Sequence, residues 1–321
     1  MKHLSDRSKR SLTLRATALF PKPLRIATRY RLLANLELGK MQRGEIFIIG
    51  YPKSGNTWLR TMISRAYQVK YGLPQDLMLK TDELANADSR IPRFCVTNGH
   101  LSYERVVRDA FADPTMAQRL AGRPLVFLLR HPCDVAVSWY IQFTKRVSPA
   151  KRELINASLA NPVDHERISL WDFVTHREIG LACVIDFMNR WEPIVRRHDR
   201  HLILRYEALR QDPMQALHRV VDFTGLALGD REIGEAVNFG SFENLQKLER
   251  SGFFRQGGMS LRKVRDGKSF KVRRGKIQGY RDDFTAAQLE QLDALVEQTL
   301  SPTLGYRATP ASAEPAIEAG A

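Results

Sequence analysis

Cysteine is scarce in this chain of 321 residues, and the three present, Cys95, Cys133 and Cys183, form no C-x-x-C pair. An odd number of widely spaced thiols excludes a disulfide framework or a thiol-rich zinc site as the basis of the fold, and reduced thiols are expected. Long apolar runs are also missing: no stretch approaches the roughly 18 residues that span a bilayer. The N-terminus lacks a signal peptide's apolar centre and small-residue cleavage site. These absences predict a cytoplasmic protein. Acidic residues are in deficit as well. Lys and Arg number 50 against 35 Asp and Glu, a formal charge of +15. Such an excess favours anionic partners: nucleic acid, an acidic membrane surface or a polyanionic small molecule.

What is present describes a folded chain. Apolar residues make up 43% and charged residues 26%, near globular averages, and the length admits either two domains or one large α/β domain. The positive charge is concentrated in two places. In the first 43 residues Lys2, Arg7, Lys9, Arg10, Arg15, Lys22, Arg25, Arg29, Arg31, Lys40 and Arg43 face only Asp6 and Glu37. This stretch, 1–43, reads as a basic arm: a solvated surface, an organelle-targeting peptide or a surface that docks on acidic lipid. The second concentration, Arg250 to Arg281, includes "LRKVRDGKSFKVRRGKIQGYR", whose glycines and mixed pattern predict a long ordered loop around a bound anion. The small, Pro-rich end "ATPASAEPAIEAGA" predicts a disordered tail over 304–321.

Between these lie alternating elements. "EIFIIGY" is a β-branched run that stops at a glycine-bearing turn, and "NTWLRTMISRAYQV" then places Leu59, Met62, Ile63 and Ala66 at helical spacing. "RPLVFLLR" followed by "HPCDVAVSWYIQF" repeats strand, turn, helix, with Pro132 near the helix start. "FCVTNGH" and "HLILRYEAL" read as further strands. One or two helices are expected between Ile168 and Val195, another from Asp212-Pro213 to Phe223 with Gly225 as its stop, and a last one from Phe284 to about Leu300. Strands alternating with helices predict a parallel sheet covered on both faces.

The turn "GYPKSGNT" has the glycine spacing of the P-loop, G-x-x-x-x-G-K-[ST], with Gly50, Gly55 and Thr57 in place. Asn56 stands where the lysine belongs, and Lys53 lies three residues earlier. A strand-to-helix turn offers backbone N–H groups and the positive end of a helix dipole to a phosphate. Moving the lysine into the turn predicts a donor shorter than a triphosphate. "RPLVFLLR" ends in Arg130, a cation where a magnesium-dependent NTPase wants a carboxylate, so no metal is expected. Arg130 and Ser138, at a strand end and in the following helix, are placed to converge on a second phosphate.

"YPKSGNTW" and "RHPCDVAVSWY" resemble the 5'-phosphosulfate loop and the 3'-phosphate motif, R-x-P-x-D-x-x-x-S-x-Y, of the cytosolic-type sulfotransferase family. The resemblance implies a P-loop-like three-layer α/β/α fold, a single domain over 44–303 with a central parallel sheet. It also implies the donor 3'-phosphoadenosine 5'-phosphosulfate (PAPS), leaving adenosine 3',5'-bisphosphate as product. Donor contacts carried over are Lys53, Ser54, Gly55, Asn56, Thr57 and Trp58 in the first motif, and Arg130 and Ser138 in the second. "RRGKIQGYRDDFT" is similar to the family's R-K-G-x-x-G segment and adds Arg273, Arg274 and Gly275. "LRYEALRQDP" adds Tyr206 near the adenine, and "GSFENL" adds Ser241 and Phe242, although Gly240 lacks the family's hydroxyl. "CVTNGHLSY" falls where the family has K-T-H-L-P, which makes His100 the implied base and puts Asn98 in a lysine's place; His131 is the rival base. The mechanism implied is metal-independent in-line transfer to an acceptor hydroxyl or amine, with His100 taking the proton and Lys53 steadying the departing phosphate. The segment Arg281 to Glu290 resembles the family's dimer segment and implies a homodimer.

Two other readings stay open at this level: a degenerate P-loop NTPase or kinase, and a non-catalytic module that binds polyanions or membranes. Substrates of the sulfotransferase reading range over small-molecule, lipid and carbohydrate acceptors, with no specific nucleic acid partner. The segments Asp76 to Arg93 and Arg146 to Arg167 are expected as loops that shape the acceptor pocket.

Overall fold

The computed structural model describes residues 6–78, 83–98, 120–254, 259, 270, 272, 275–307 and 318–319. Four parallel strands, β1 (Ile46–Ile49), β2 (Phe94–Thr97), β3 (Leu125–Leu129) and β4 (His201–Arg205), lie in the order β2-β1-β3-β4. Phe47 is in register with Cys95 on one side and Leu125 on the other, and Leu125 with His201. Every residue of the four is buried, which is why each reads as an apolar run, with polar residues only at the ends of β2 and β4, rather than as an alternation.

Burial on both faces makes two cores. Phe47, Ile49, Cys95, Leu125, Phe127, Leu129 and Ile203 point into one, and their neighbours Ile46, Ile48, Phe94, Val96, Val126, Leu128, Leu202 and Leu204 into the other, as the two-residue period of a strand requires. The chain begins with helices α1 (Asp6–Ala16) and α2 (Lys22–Arg43). After β1 come α3 (Asn56–Tyr71) and the single turn α4 (Leu84–Ala87), and after β3 come α5 (Pro132–Ile141), α6 (Pro149–Ala157), α7 (Leu170–Thr175) and α8 (Leu181–Arg196). Beyond β4 follow α9 (Tyr206–Gln211), α10 (Pro213–Thr224), α11 (Asp230–Phe239), α12 (Phe242–Arg250) and α13 (Ala286–Thr299). Helices α3, α10 and α11 cover the second core, while α5, α7, α8 and α13 cover the first. The result is a three-layer α/β/α fold on a parallel sheet. No helix among the described residues is long and apolar enough to cross a membrane.

Four expectations differ from the structure. The described part of the basic segment is not an arm apart from the domain: α2 buries Leu33, Ala34 and Met41, two of them in the first core. Its charge is absorbed where it turns inward, since buried Arg29 donates from Nη1 to Glu153 at 2.8 Å. The start of the expected tail, 304–307, is packed on the domain. Leu304 is buried, and Tyr306 Oη donates to Glu207 at 2.8 Å. Glu318–Ala319 form β5, antiparallel to β4. The segment 146–167 contains α6, which Ser148 caps by accepting from the Lys151 N–H. Finally, the strand expected through "RYEAL" stops at Arg205, and Tyr206 opens a helix. The surface segment 281–290 carries the capping box of α13, with Thr285 and Gln288 bonded reciprocally.

Candidate active site

The turn after β1 is shaped by close approach and by left-handed backbone. A Cβ on Gly50 would lie 2.7 Å from Leu128 O, so only glycine lets the turn pass the end of β3. Lys53 and Gly55 adopt φ of 83° and 111°. Positive φ is open to glycine but uncommon for lysine, and such residues gather where a side chain has a job to do. The Ser54 N–H donates to Tyr51 O at 3.1 Å and closes the turn. Helix α3 then starts at Asn56, its N-terminal N–H groups and dipole directed at whatever the turn encloses. Asn56 is itself a strut: Nδ2 donates to Gly50 O at 3.0 Å and to Asn98 Oδ1 at 3.3 Å. The amide thus fixes the turn to the ends of β1 and β2 in the place where a P-loop lysine would reach forward.

Arg130 leaves the end of β3 and packs its guanidinium 4.3 Å from the centre of the Tyr206 ring. Nη2 meets Asp134 at 3.2 Å, and Nε is buried without a hydrogen-bond partner. Asp134 is occupied in other directions by the N–H groups of Gln278 and Tyr280, each at 3.0 Å. One turn further along α5 is Ser138. Beside them an aromatic slot is formed by Trp58, Tyr206 and Phe242. The Trp58 and Tyr206 rings meet edge-on at 5.7 Å, and Trp58 Nε1 donates to Gly240 O at 2.7 Å. At Gly240, which lacks the family's hydroxyl, a Cβ would sit 2.7 Å from Met62 Cγ and force that side chain to move. Gly275, at φ 60°, presses its backbone against Phe242, where a Cβ would come to 2.7 Å.

These groups share one cavity of about 400 Å³. Lys53, Gly55, Asn56, Thr57, Trp58, Arg130, Ser138, Tyr206, Phe242 and Gly275 all line it. Ser54 and Ser241 do not. The Ser54 hydroxyl is turned into the protein without a hydrogen-bond partner, and the Ser241 hydroxyl caps α12 by accepting from the Asn244 N–H. His100, Arg273 and Arg274 lie outside the described residues. Among the described residues the cavity wall carries the cations Lys53, Arg60, Arg130, Lys151, Arg210 and Lys276 against the single carboxylate of Asp134. A concave wall of one sign attracts and holds a ligand of several negative charges.

The match to the family model for a sulfotransferase domain covers residues 43–303. The chain belongs to the sulfotransferase family. It is an enzyme of sulfuryl transfer. Similar proteins include a flavonol 3-sulfotransferase of Flaveria bidentis, 24% identical over 290 residues that cover 82% of this chain and 84% of the relative. Human sulfotransferase 2A1 is 22% identical over 267 residues, covering 80% and 84%. Among solved structures, a mouse sulfotransferase complexed with PAP superposes with a TM-score of 0.52 at 18% identity, over 82% of this chain and 87% of that one. A retinol dehydratase in complex with androsterone and inactive cofactor PAP gives 0.52 at 17%, over 83% and 82%. At these identities the superpositions establish the fold.

Several cavity residues of this sulfotransferase escaped the sequence reading. Arg210 stands four residues after Tyr206 on α9, and its guanidinium lies 5.7 Å from the Trp58 ring centre and 5.8 Å from that of Phe242. The i,i+4 spacing was there to be read, but only if "YEALR" had been taken as helix. Lys151 reaches the cavity from α6, and Gln142 from a π-helical segment, Gln142–Arg146, that continues α5. Extra-residue turns of that kind often occur at functional sites.

His131, the rival base of the sulfotransferase, does not line the cavity. Its ring stacks on Tyr280 at 5.0 Å and meets Tyr306 edge-on, with Nδ1 shut away from solvent. Burial holds its pKa down at about 4, below the ordinary 6.5. A proton that the folded state refuses is taken by the unfolded chain, so the neutral ring costs nothing above pH 6.5, and stability is lost as pH falls from there toward 4. Replacing the ring by Phe keeps the stacking and removes the titration. Urea unfolding should therefore show His131→Phe losing about 1–2 kcal/mol less than the wild type between about pH 7 and about pH 5. Equal losses would show that the ring does not titrate with folding.

Proposed function

We propose that this sulfotransferase moves a sulfuryl group from PAPS to a hydroxyl or amine of a small acceptor. The observation that carries the reading is that one cavity receives both the Lys53–Trp58 turn and the Arg130–Ser138 pair. A sulfonucleotide has two separate anionic ends, and the residues fit it. The buried Nε of Arg130 lacks a partner, Gly55 leaves a space beside Tyr206 that a Cβ would fill to 2.9 Å, and the aromatic slot suits an adenine. Bound there, PAPS supplies an activated sulfuryl group on a phosphate leaving group. The turn N–H groups and Lys53 would hold the 5' end, Arg130 and Ser138 the 3'-phosphate, and Trp58, Tyr206 and Phe242 the base.

Chemically, the work of this chain is electrostatic. With PAPS bound, Lys53 and the amides at the start of α3 would neutralise the charge arriving on phosphate as the acceptor oxygen bonds to sulfur and the sulfur–oxygen bond to phosphate breaks. His100 is the proposed acceptor of the hydroxyl proton. The flavonols, androsterone and retinol named with similar proteins support a small-molecule acceptor here. Metal independence is part of the proposal and rests on Arg130 occupying the strand end where an NTPase holds its magnesium carboxylate.

Calorimetry separates this reading from the NTPase one. Adenosine 3',5'-bisphosphate should bind with the same affinity in magnesium and in EDTA, and at least tenfold tighter than ATP. Equal affinity for both nucleotides, or binding that requires magnesium, would sink the donor assignment.

A further inference from the structure

We infer that the N-terminal helical hairpin is a docking surface for an anionic lipid bilayer, an inference that stands independently of the donor reading. Helices α1 and α2 fold against each other around buried Thr17, whose hydroxyl accepts from Arg29 Nε at 2.8 Å. Among the described residues six large apolar side chains stand exposed, and five of them are here: Leu12, Leu19, Phe20, Leu24 and Leu32. Leu19, between the helices, is 96% exposed. Scattered surface leucines are ordinary, but a concentration in one supersecondary unit marks an interaction site. Leu12, Arg15 and Ala16 share the spacing of one face of α1, and they and Leu19 in the turn beyond it are all exposed.

The charge selects the occupant. From Arg7 to Leu36 the chain contains no Asp or Glu. Some of its cations have internal partners: Arg25 and Arg29 pair with Glu153, and Arg10 with Glu37. Arg15, Lys22 and Arg31 are exposed, one between Leu12 and Leu19 in sequence, one between Phe20 and Leu24, and one beside Leu32. A second copy of the chain would bring the same positive surface to the contact and repel it. Nucleic acid would use the cations but offers nothing to Leu19 and Leu24. The headgroup region of an acidic bilayer accommodates both at once.

The hairpin is also joined to the active cavity. Tyr30 Oη donates to Leu154 O, and Arg25 and Arg29 hold Glu153, both on α6, the helix that brings Lys151 to the cavity wall. A hairpin resting on lipid would therefore hold the cavity near the bilayer.

Cosedimentation of the full chain with phosphatidylcholine vesicles, with and without about one-third phosphatidylserine, tests this. Binding is expected to the mixed vesicles alone. It should fall at least tenfold in Leu19→Glu/Leu24→Glu and about fivefold in each of Arg15→Glu and Lys22→Glu. These side chains are exposed, so the variants should melt and bind nucleotide like the wild type. The inference is overturned if mixed vesicles leave the protein in solution or if the variants pellet equally well. It is also overturned if light scattering finds a dimer that Leu19→Glu dissociates, which would make a second copy the occupant.

Discussion

Lys53→Met is expected to lower kcat by about 10²–10³-fold while moving the KM for PAPS by less than about threefold. The reasoning is differential. A lysine aimed at the leaving phosphate gains most when the charge there is fully developed, so its loss is felt in the transition state more than in the ground state. Affinity for the product bisphosphate, which carries that charge in full, should fall alongside kcat. Lys53→Gly supplies the control. Lysine at φ 83° holds a backbone conformation that glycine adopts freely, so this variant should melt no lower than the wild type and be as inactive as Lys53→Met. If either variant keeps more than about a third of wild-type kcat, the ammonium is a turn residue and nothing more.

The turn was legible because its glycines keep the spacing of a recurrent phosphate-binding turn, although the contacts that require them come from elsewhere in the chain. Gly50 and Gly55 are needed where a Cβ would strike Leu128 O and the Tyr206 ring, and spacing alone reveals such requirements. The strands were legible because burial on both faces leaves them apolar except at their ends, where Thr97, His201 and Arg205 stand. Residues whose role comes from distant packing were not. Arg210 matters because α9 turns back at the strand end and lays a guanidinium between Trp58 and Phe242, and neither contact is written near it in sequence. The N-terminal hairpin was hidden by its own charge: Leu33, Ala34 and Met41 have the spacing of a core-facing helix, yet the lysines and arginines around them read as a solvated arm. Ser241 carries a second signal in its local sequence. A serine ahead of "FENL" is what an N-cap looks like, and capping is the bond the structure gives it. Asn56 belongs with these: its absent charge was noticed, but its role as a strut to Asn98 needed the neighbouring strand.

Arg130→Ala should weaken adenosine 3',5'-bisphosphate binding by about 30-fold or more, as for removal of a charged partner from a part-buried phosphate contact worth about 2–5 kcal/mol. The fold should survive, because Asp134 keeps the Gln278 and Tyr280 N–H groups that bind α5 to the segment before α13. Ser138→Ala removes a neutral hydrogen bond and should cost about five- to tenfold. If both side chains grip one phosphate, the double variant will lose less than the product of the single losses, because the second deletion removes a partner already loosened. Arg130→Lys sharpens the test. It restores the charge without the planar fork and without the stacking on Tyr206 at 4.3 Å, so it should recover only part of the affinity. Adenosine 5'-monophosphate, which lacks the ribose phosphate, should bind wild type and Arg130→Ala alike. Should the monophosphate instead lose as much affinity as the bisphosphate, Arg130 serves the fold of the pocket, and recognition of a second phosphate must be sought elsewhere on the cavity wall.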